Sequence, residues 1–401
     1  MTAPLAPARA WTRVTPSRSL RRGQVLEIDV EGRVGVLWRG RSGVLGAAEA
    51  WCPHLGAHLA QGGYVSEDAL VCPFHQWHFQ PQGQCTAIGY PAARIPSQAS
   101  AQAWQVREEE EQIWVCPPLD PPLHRRGLGQ LPNRAGTFPE GWYKIAYCPE
   151  LVAGKTHQVH YFGQDISLTR SASGTAHALL DAVPPKPLTC VESGGLVLAW
   201  YGAGEPTFPA PDFSAYTAPQ RTCRRFEAVV ASSLWDVAEN PFDVAHLLTV
   251  HHLVVHGDPE VREDGTSLHL DFHAHFDPPY PLIGPLARRI NVHTHVEGLG
   301  LGLATSDVDI PLLTKTQMIG CNTPIDDNNT EYTLLFHSVP HSMWRPHVRF
   351  LHTTTTSLIW YVTAIERLVW GRKQYLKNPC LTPGERGIGR FRRWAKQFDC
   401  V

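Results

Sequence analysis

The sequence predicts an α+β fold in which two antiparallel β modules precede a larger module of antiparallel sheet and helices. Three observations carry this reading: a repeated hairpin pattern in the first half, long alternating apolar and polar stretches in the second, and a segment of helical period near the C-terminus. The 401 residues suffice for two or three domains with sizeable cores. Apolar residues at 43%, charged residues at 18% and a formal net charge of -2 exclude a disordered chain and argue against a nucleic-acid partner.

Ten Cys are too few for a disulfide framework, whereas 21 His is a high count for the residue that most often ligates metals. The segment Met1–Ala10 lacks the apolar run of a secretory signal, and no stretch offers the ~18 uninterrupted apolar residues of a membrane span. The expectation is a soluble, cytoplasmic protein with free thiols, in which a Cys/His cluster binds metal.

The repeat lies at a constant offset of 131 residues: 11–43 falls on 142–174. Trp11 meets Trp142, Leu20 meets Leu151, Gly23 meets Gly154, Gly32 meets Gly163, Leu37 meets Leu168, Arg39 meets Arg170 and Ser42-Gly43 meets Ser173-Gly174. Val34 and Val36 fall on Asp165 and Ser167, a weaker match. Beyond Gly43 the first copy runs on to Glu111-Gln112-Ile113-Trp114-Val115, whereas the second passes almost at once from Gly174 to Gly195–Trp200. The second copy therefore lacks an insertion that the first carries. Pro-rich connectors, Pro117–Pro122 and Pro206–Pro211, follow the two copies, and the domains are read as 1–122, 138–222 and 223–401. In the third, 224–230 reads as a strand, 232–250 as a helix, and 267–276, 291–306 and 331–339 as strands of an antiparallel sheet. Residues 357–374 carry apolar side chains at 358, 361, 362, 365, 368 and 369, a helical period.

The insertion holds Cys52-Pro53-His54 and, 17 residues on, Cys72-Pro73-Phe74-His75. Each half supplies one thiolate and one imidazole. Zinc accepts Cys2His2 sets but usually groups Cys with Cys and His with His. A two-iron cluster suits the mixed pairing, with both Cys on one iron and both His on the other. The flanks, Cys52-Pro-His-Leu-Gly-Ala-His and Cys72-Pro-Phe-His-Gln-Trp, resemble the cluster loops of Rieske proteins. Gln76 departs from the pattern, which usually has Gly there. His58 and His78 read as loop residues near the cluster.

Residues 239–251 contain Asp243-x-x-His246-x4-His251. Such a pair alone is usually structural, and five residues do not bring both His to one helical face unless the helix loosens after His246. Downstream of the first motif, the stretch resembles the mononuclear-iron motif of the Rieske non-haem iron oxygenases, with His252 as the competing second ligand. The family takes its third ligand, a carboxylate, from a C-terminal helix. Here that helix contains Glu366, where Asp is usual, and the alternative is a surface Glu beside Arg367. The ending Gly387-Ile-Gly-Arg-Phe391-Arg-Arg-Trp394, together with Trp142-Tyr143 and Glu366–Tyr375, resembles the steroid 9-alpha-hydroxylase and cholesterol 7-desaturase-like branch of that family.

The resemblance implies a Rieske-type antiparallel β domain, a second Rieske-like β domain without cluster loops, and a helix-grip-like catalytic domain. Cys52, His54, Cys72 and His75 would hold a [2Fe-2S] cluster, and His246, His251 and Glu366 a mononuclear Fe(II). Asn240 and Asp243 are the catalytic candidates, Asp243 as a hydrogen-bonded bridge from an iron-ligating His to a cluster His of a neighbouring subunit. A ferredoxin or ferredoxin reductase using NAD(P)H would supply electrons to a homotrimer that uses O2 to hydroxylate or desaturate a bulky hydrophobic, steroid-like substrate. The alternative function is electron transfer, with a non-catalytic partner-binding third domain. Histidines 269, 273 and 275, and again 293 and 295, share strand faces by the period of two. They could make another metal cluster, but with no carboxylate partner evident they read as lining a core or cavity.

Overall fold

The computed structural model describes residues 10–91, 94–119, 137–217, 222–277, 288–311, 314–340, 350, 352–353, 357, 366, 370–371 and 373–399. It is an α+β chain of mostly antiparallel sheet, divided into two compact units: Met1–Gln130 with Arg372–Gly384, and Leu131–Gly371 with Glu385–Val401.

The first unit contains three antiparallel sheets. Strand β1 (Thr12–Pro16) pairs with β10 (Gln112–Cys116), which pairs with β9 (Gln105–Glu109). Strands β2 (Val25–Val30), β3 (Arg33–Arg39) and β4 (Leu45–Glu49) form the second sheet. The insertion makes the third, from β5 (Tyr64–Ser66), β6 (Ala69–Val71), β7 (His78–Phe79) and β8 (Cys85–Ala87). Leu20, Ile28, Val30, Leu37, Ala47, Trp104, Ile113 and Val115 close the core between the first two.

In the second unit β11 (Gly141–Tyr147) pairs with β17 (Leu196–Tyr201), which pairs with β16 (Cys190–Ser193). Strands β12 (Thr156–Tyr161), β13 (Gln164–Arg170), β14 (Ala176–Leu180) and β15 (Lys186–Leu188) form a neighbouring sheet. The order β11-β17-β16 matches β1-β10-β9, and β12-β13-β14 matches β2-β3-β4. The same offset relates an arginine clasp in each copy. Arg39 donates from Nε to the Leu20 carbonyl (2.9 Å) and from its guanidinium to the carbonyls of Ser17 and Gly43 and to Glu108. Arg170 donates in the same way to Leu151 (2.9 Å), Cys148, Gly174 and Glu192. Glu31 and Phe162, the matched residues of the β2–β3 and β12–β13 turns, both adopt left-handed φ, +54° and +58°. The mismatch at Val34 and Val36 has a packing cause. Their face of β3 is buried, with the Trp38 indole donating to the Asp68 carbonyl in the β5–β6 turn, whereas Asp165 and Thr169 are exposed and Ser167 half-buried where that insertion is absent.

Seven antiparallel strands build the main sheet of this unit: β18 (Thr222–Val230), β19 (Leu253–Asp264), β20 (Ser267–Phe276), β21 (Asn291–Leu299), β22 (Leu303–Ile310), β23 (Thr314–Pro324) and β24 (Thr330–Pro340), in the order β18-β24-β23-β22-β21-β20-β19. The single strand expected over 291–306 is two, because Gly300 takes a left-handed φ of +68° and turns the chain back. Trp142, Leu196, Leu198, Trp200 and Phe213 pack on Leu303, Ile319, Cys321 and Leu335, so the β11-β17-β16 sheet and the seven-stranded sheet share one core. Lys144 is buried beneath it, 2.7 Å from Glu331 and 3.4 Å from Glu227.

The helix expected over 232–250 is also two. Ser233 caps α1 (Leu234–Glu239), Pro241 starts a 3-10 turn, and Asp243 leaves helical geometry to cap α2 (Val244–Thr249). The helix expected over 357–374 lies mostly outside the described residues. Ser357, Glu366 and Trp370 are helical, Gly371 is a turn, and Lys373 already pairs as a β-bridge with Ala57. Helix α3 (Arg386–Ala395) buries Ile388, Phe391 and Trp394, one stripe of an amphipathic helix. Phe391 stacks on Phe242 at 5.3 Å, and Arg392 binds the fully buried Glu239 at 2.7 Å. The aromatic and basic C-terminal ending thus clamps the α1–α2 segment. Among the described residues no helix is long and apolar enough to cross a membrane.

Candidate metal centres

The two Cys/His loops of the first unit have one backbone design. Gly56 N–H donates to the Cys52 carbonyl (3.0 Å) and Gln76 N–H to the Cys72 carbonyl (3.1 Å); Cys52 and Cys72 in turn donate to the carbonyls of Ala57 and Trp77. Four residues after its Cys, each loop passes through a left-handed residue, Gly56 at φ +73° and Gln76 at φ +53°. Glycine adopts that conformation freely, which is why Gly is expected at both places; Gln76 sits there at a cost of about 1 kcal/mol.

Cys52, His54, Cys72 and His75 are each 1% exposed. The His54 ring stacks on Trp77 (4.5 Å) and meets the edge of His75 (4.5 Å), and the Trp77 indole donates to the Tyr90 hydroxyl (3.1 Å). Burial opposes ionisation of Cys72, yet a hydrogen bond from Cys52 and the backbone N–H groups of Phe74 and His75 bring it down to about 7. Burial and the adjacent Cys72 push Cys52 up. Two thiols and two imidazoles converging in a buried, N–H-rich pair of loops fit a cluster ligated by two Cys and two His.

A C-terminal strap secures the first loop. Gln374 N–H donates to the Gly56 carbonyl (2.9 Å), Cys380 N–H to the Pro53 carbonyl (2.9 Å), and the Lys373 ammonium lies 5.9 Å from the Phe74 ring. Neither Tyr90 nor this strap is signalled by the sequence, because both act through contacts remote in the chain and carry no motif. His58 packs edge-on against Trp51 at 4.5 Å, and burial holds His78 below the usual imidazole range.

The second centre lies within the other unit. One ligand atom each from His246, His251 and Glu366 fall within 4.8 Å of one another. Helix α2 ends at Thr249, and the following turn swings His251 back until its Nε2 is 2.5 Å from Glu366 Oε1, with His246 Nε2 at 3.4 Å from the same oxygen. Glu366 is 7% exposed, not a surface residue. Burial opposes its ionisation, but hydrogen bonds with His246 and His251 hold its carboxyl down to about 2. Asn240 Nδ2 donates to the other oxygen, Oε2, at 3.0 Å. The Asp243 carboxylate accepts from the His246 backbone N–H (3.4 Å), and its carbonyl bonds His246 Nδ1, the contact that would fix Nε2 as the ligand atom toward a metal. His252 is outside this group; it takes a left-handed φ of +55° and its carbonyl accepts from Asp277 N–H. Two imidazoles and one carboxylate fit a mononuclear iron with open positions.

Residues 10–100 match the Rieske [2Fe-2S] domain family, and residues 201–398 match the 3-Ketosteroid 9alpha-hydroxylase C-terminal domain family. The chain belongs to the Rieske oxygenases. This Rieske oxygenase is 24% identical to cholesterol 7-desaturase nvd 2 of Ciona intestinalis over 99% of its own length and 73% of that protein. It is 40% identical to cholesterol 7-desaturase nvd 1 of the same organism, over 26% of this chain and only 22% of the relative. A 30% match to the 3-ketosteroid-9-alpha-monooxygenase oxygenase component of Rhodococcus rhodochrous covers 40% of this chain and 43% of that protein. In this Rieske oxygenase the cluster loops lie inside the first matched segment, and His246, His251 and Glu366 inside the second.

Proposed function

We propose that the chain is the oxygenase component of a Rieske system, which uses O2 and electrons from an NAD(P)H-dependent reductase, directly or through a ferredoxin, to hydroxylate or desaturate a bulky hydrophobic, steroid-like substrate. The observation that carries this reading is the buried His246–His251–Glu366 group. An electron carrier has no use for such a site. When bound, the cluster supplies single electrons and the mononuclear iron activates dioxygen.

The chain's own residues have separate tasks in this proposal. Cys52, His54, Cys72 and His75 hold the cluster, and His246, His251 and Glu366 hold the iron. Asn240 positions Glu366 by fixing one carboxylate oxygen, and Asp243 positions His246 by fixing its tautomer. Trp370, four residues after Glu366 in the chain, packs with Tyr332, Leu334 and Phe336 in a buried apolar cluster of the same unit. The steroid class is supported by the named relatives and by the C-terminal ending that clamps α1 and α2. The proposal includes a cytoplasmic homotrimer, with Asp243 linking centres of neighbouring subunits.

Iron and sulfide analysis tests the proposal. It expects three irons per chain, two in the cluster and one mononuclear, and O2 uptake on addition of reductase, NADH and a steroid. Two irons in a folded protein would favour the electron-transfer alternative. Light scattering checks the trimer.

A further inference from the structure

Of the strand histidines only His269 is buried; His275 and His295 are half-exposed and His273 and His293 exposed. Leu268, Leu270, Phe272 and Ala274 on β20, with Val292, Thr294 and Val296 on β21, are the buried alternates. The opposite face carries His269, Asp271, His273 and His275, and across the strand pairing Glu297, His295 and His293, with His273 and His293 exposed. The absence of a carboxylate partner expected from the sequence is therefore corrected. The antiparallel register sets Glu297 directly opposite His269 and Asp271 directly opposite His295.

We infer that His269, His295 and Glu297 form a further metal site, built for a divalent transition ion of the Zn2+ class and separate from the cluster and iron ligands. One ligand atom from each lies within 4.8 Å of the others, the same convergence as in the His246 group. Two imidazoles and one carboxylate are a donor set zinc accepts, leaving one position for water. Asp271 Oδ1 lies 2.8 Å from His295 Nδ1. A carboxylate at Nδ1 fixes the tautomer whose lone pair is on Nε2, the outer support that metal-binding histidines use. His269 has a buried Nδ1 with no hydrogen-bond partner among the described residues. Arg262, opposite His269 on the neighbouring strand, is turned to Asp264 at 3.2 Å. An ion here would join β20 to β21 from the outer face of the sheet.

The competing donors are the neighbouring pairs His256–His275, with Nε2 and Nδ1 2.6 Å apart, and His273–His293, with stacked rings. The test uses the full chain with cluster and mononuclear iron in place, dialysed against Zn2+ alone, with zinc and iron counted by mass spectrometry. The wild type is expected to take up one zinc without losing iron. His295→Gln/Glu297→Gln changes only half-exposed side chains and is expected to bind that zinc at least about 100-fold more weakly, and Asp271→Asn about 10- to 100-fold more weakly. His256→Gln/His275→Gln and His273→Gln/His293→Gln are expected to bind it as the wild type does. Cluster absorbance and circular dichroism establish that each variant is folded. The inference is overturned if the His295/Glu297 variant binds zinc like the wild type, if either control variant loses it, or if zinc enters only as iron leaves. A zinc-dependent rise in unfolding temperature that disappears in the His295/Glu297 variant is the second readout.

Discussion

Gly56→Ala probes the strap over the first cluster loop. Gly56 takes φ +73°, and a Cβ built there would lie 1.8 Å from the carbonyl oxygen of Gln374, about half the ~3.5 Å at which such atoms rest. The left-handed backbone alone costs an alanine roughly 1–2 kcal/mol. The clashing atom is backbone, so relief requires the strap to move. That movement breaks the Gln374 N–H bond to the Gly56 carbonyl and loosens the Cys380 N–H bond to Pro53, each worth about 1 kcal/mol. A loss of about 3–4 kcal/mol follows, among the larger single-residue effects. Gly154 is the internal control: its φ is +77°, but nothing lies within 4 Å of its added Cβ, so Gly154→Ala should cost only the backbone share. Urea unfolding followed by tryptophan fluorescence and by cluster absorbance measures both. Equal losses for the two variants would refute the argument that the strap packs on the loop.

Other perturbations follow from the same geometry. Glu366→Ala should lower iron from three to two per chain with cluster absorbance unchanged, and reduce substrate turnover about 100-fold or more; full mononuclear iron and O2 consumption in this variant would remove Glu366 from the ligand set. Arg39→Ala and Arg170→Ala should each cost about 2 kcal/mol in urea unfolding, since each leaves three carbonyls and a glutamate unclasped. Lys144→Met removes the buried ammonium from the largely buried Glu331 and the exposed Glu227 and should cost about 3 kcal/mol. Burial opposes ionisation of Glu227, but the Tyr147 hydroxyl, Lys144 and Arg225 hold its carboxyl below the usual range. Its stabilisation is thus present above the unfolded value of about 4 and is lost as pH falls through the lower folded one. Lys144→Met should therefore lose less stability on acidification than the wild type, as thermal melts between neutral and acid pH would show.

Motifs that were short and local were legible in the chain. Cys52-Pro-His and Cys72-Pro-Phe-His specify the cluster loops because four donors and two turn positions fall within a few residues of one another. The repeat at 131 was legible because matched turns need the same residues, Gly23 with Gly154 and Gly32 with Gly163, at the same left-handed φ. Residues 232–250 were harder: the apolar period continues through Pro241 and Asp243, but the missing proline N–H and the competing Asp243 side chain break the helix there.

The sequence by itself determined the fold class and the local Cys/His and His/His groupings, because these depend on residue identity and local spacing. Only the tertiary structure decided which distant groups meet. It turned Glu366 inward onto His246 and His251, laid the 373–384 strap over Gly56, and set Glu297 and Asp271 beside the strand histidines. The physical reason is register: a strand pairing or a helix rotation fixes contacts between residues far apart in the chain. A one-residue shift would send each of these side chains to the opposite face without changing any local pattern.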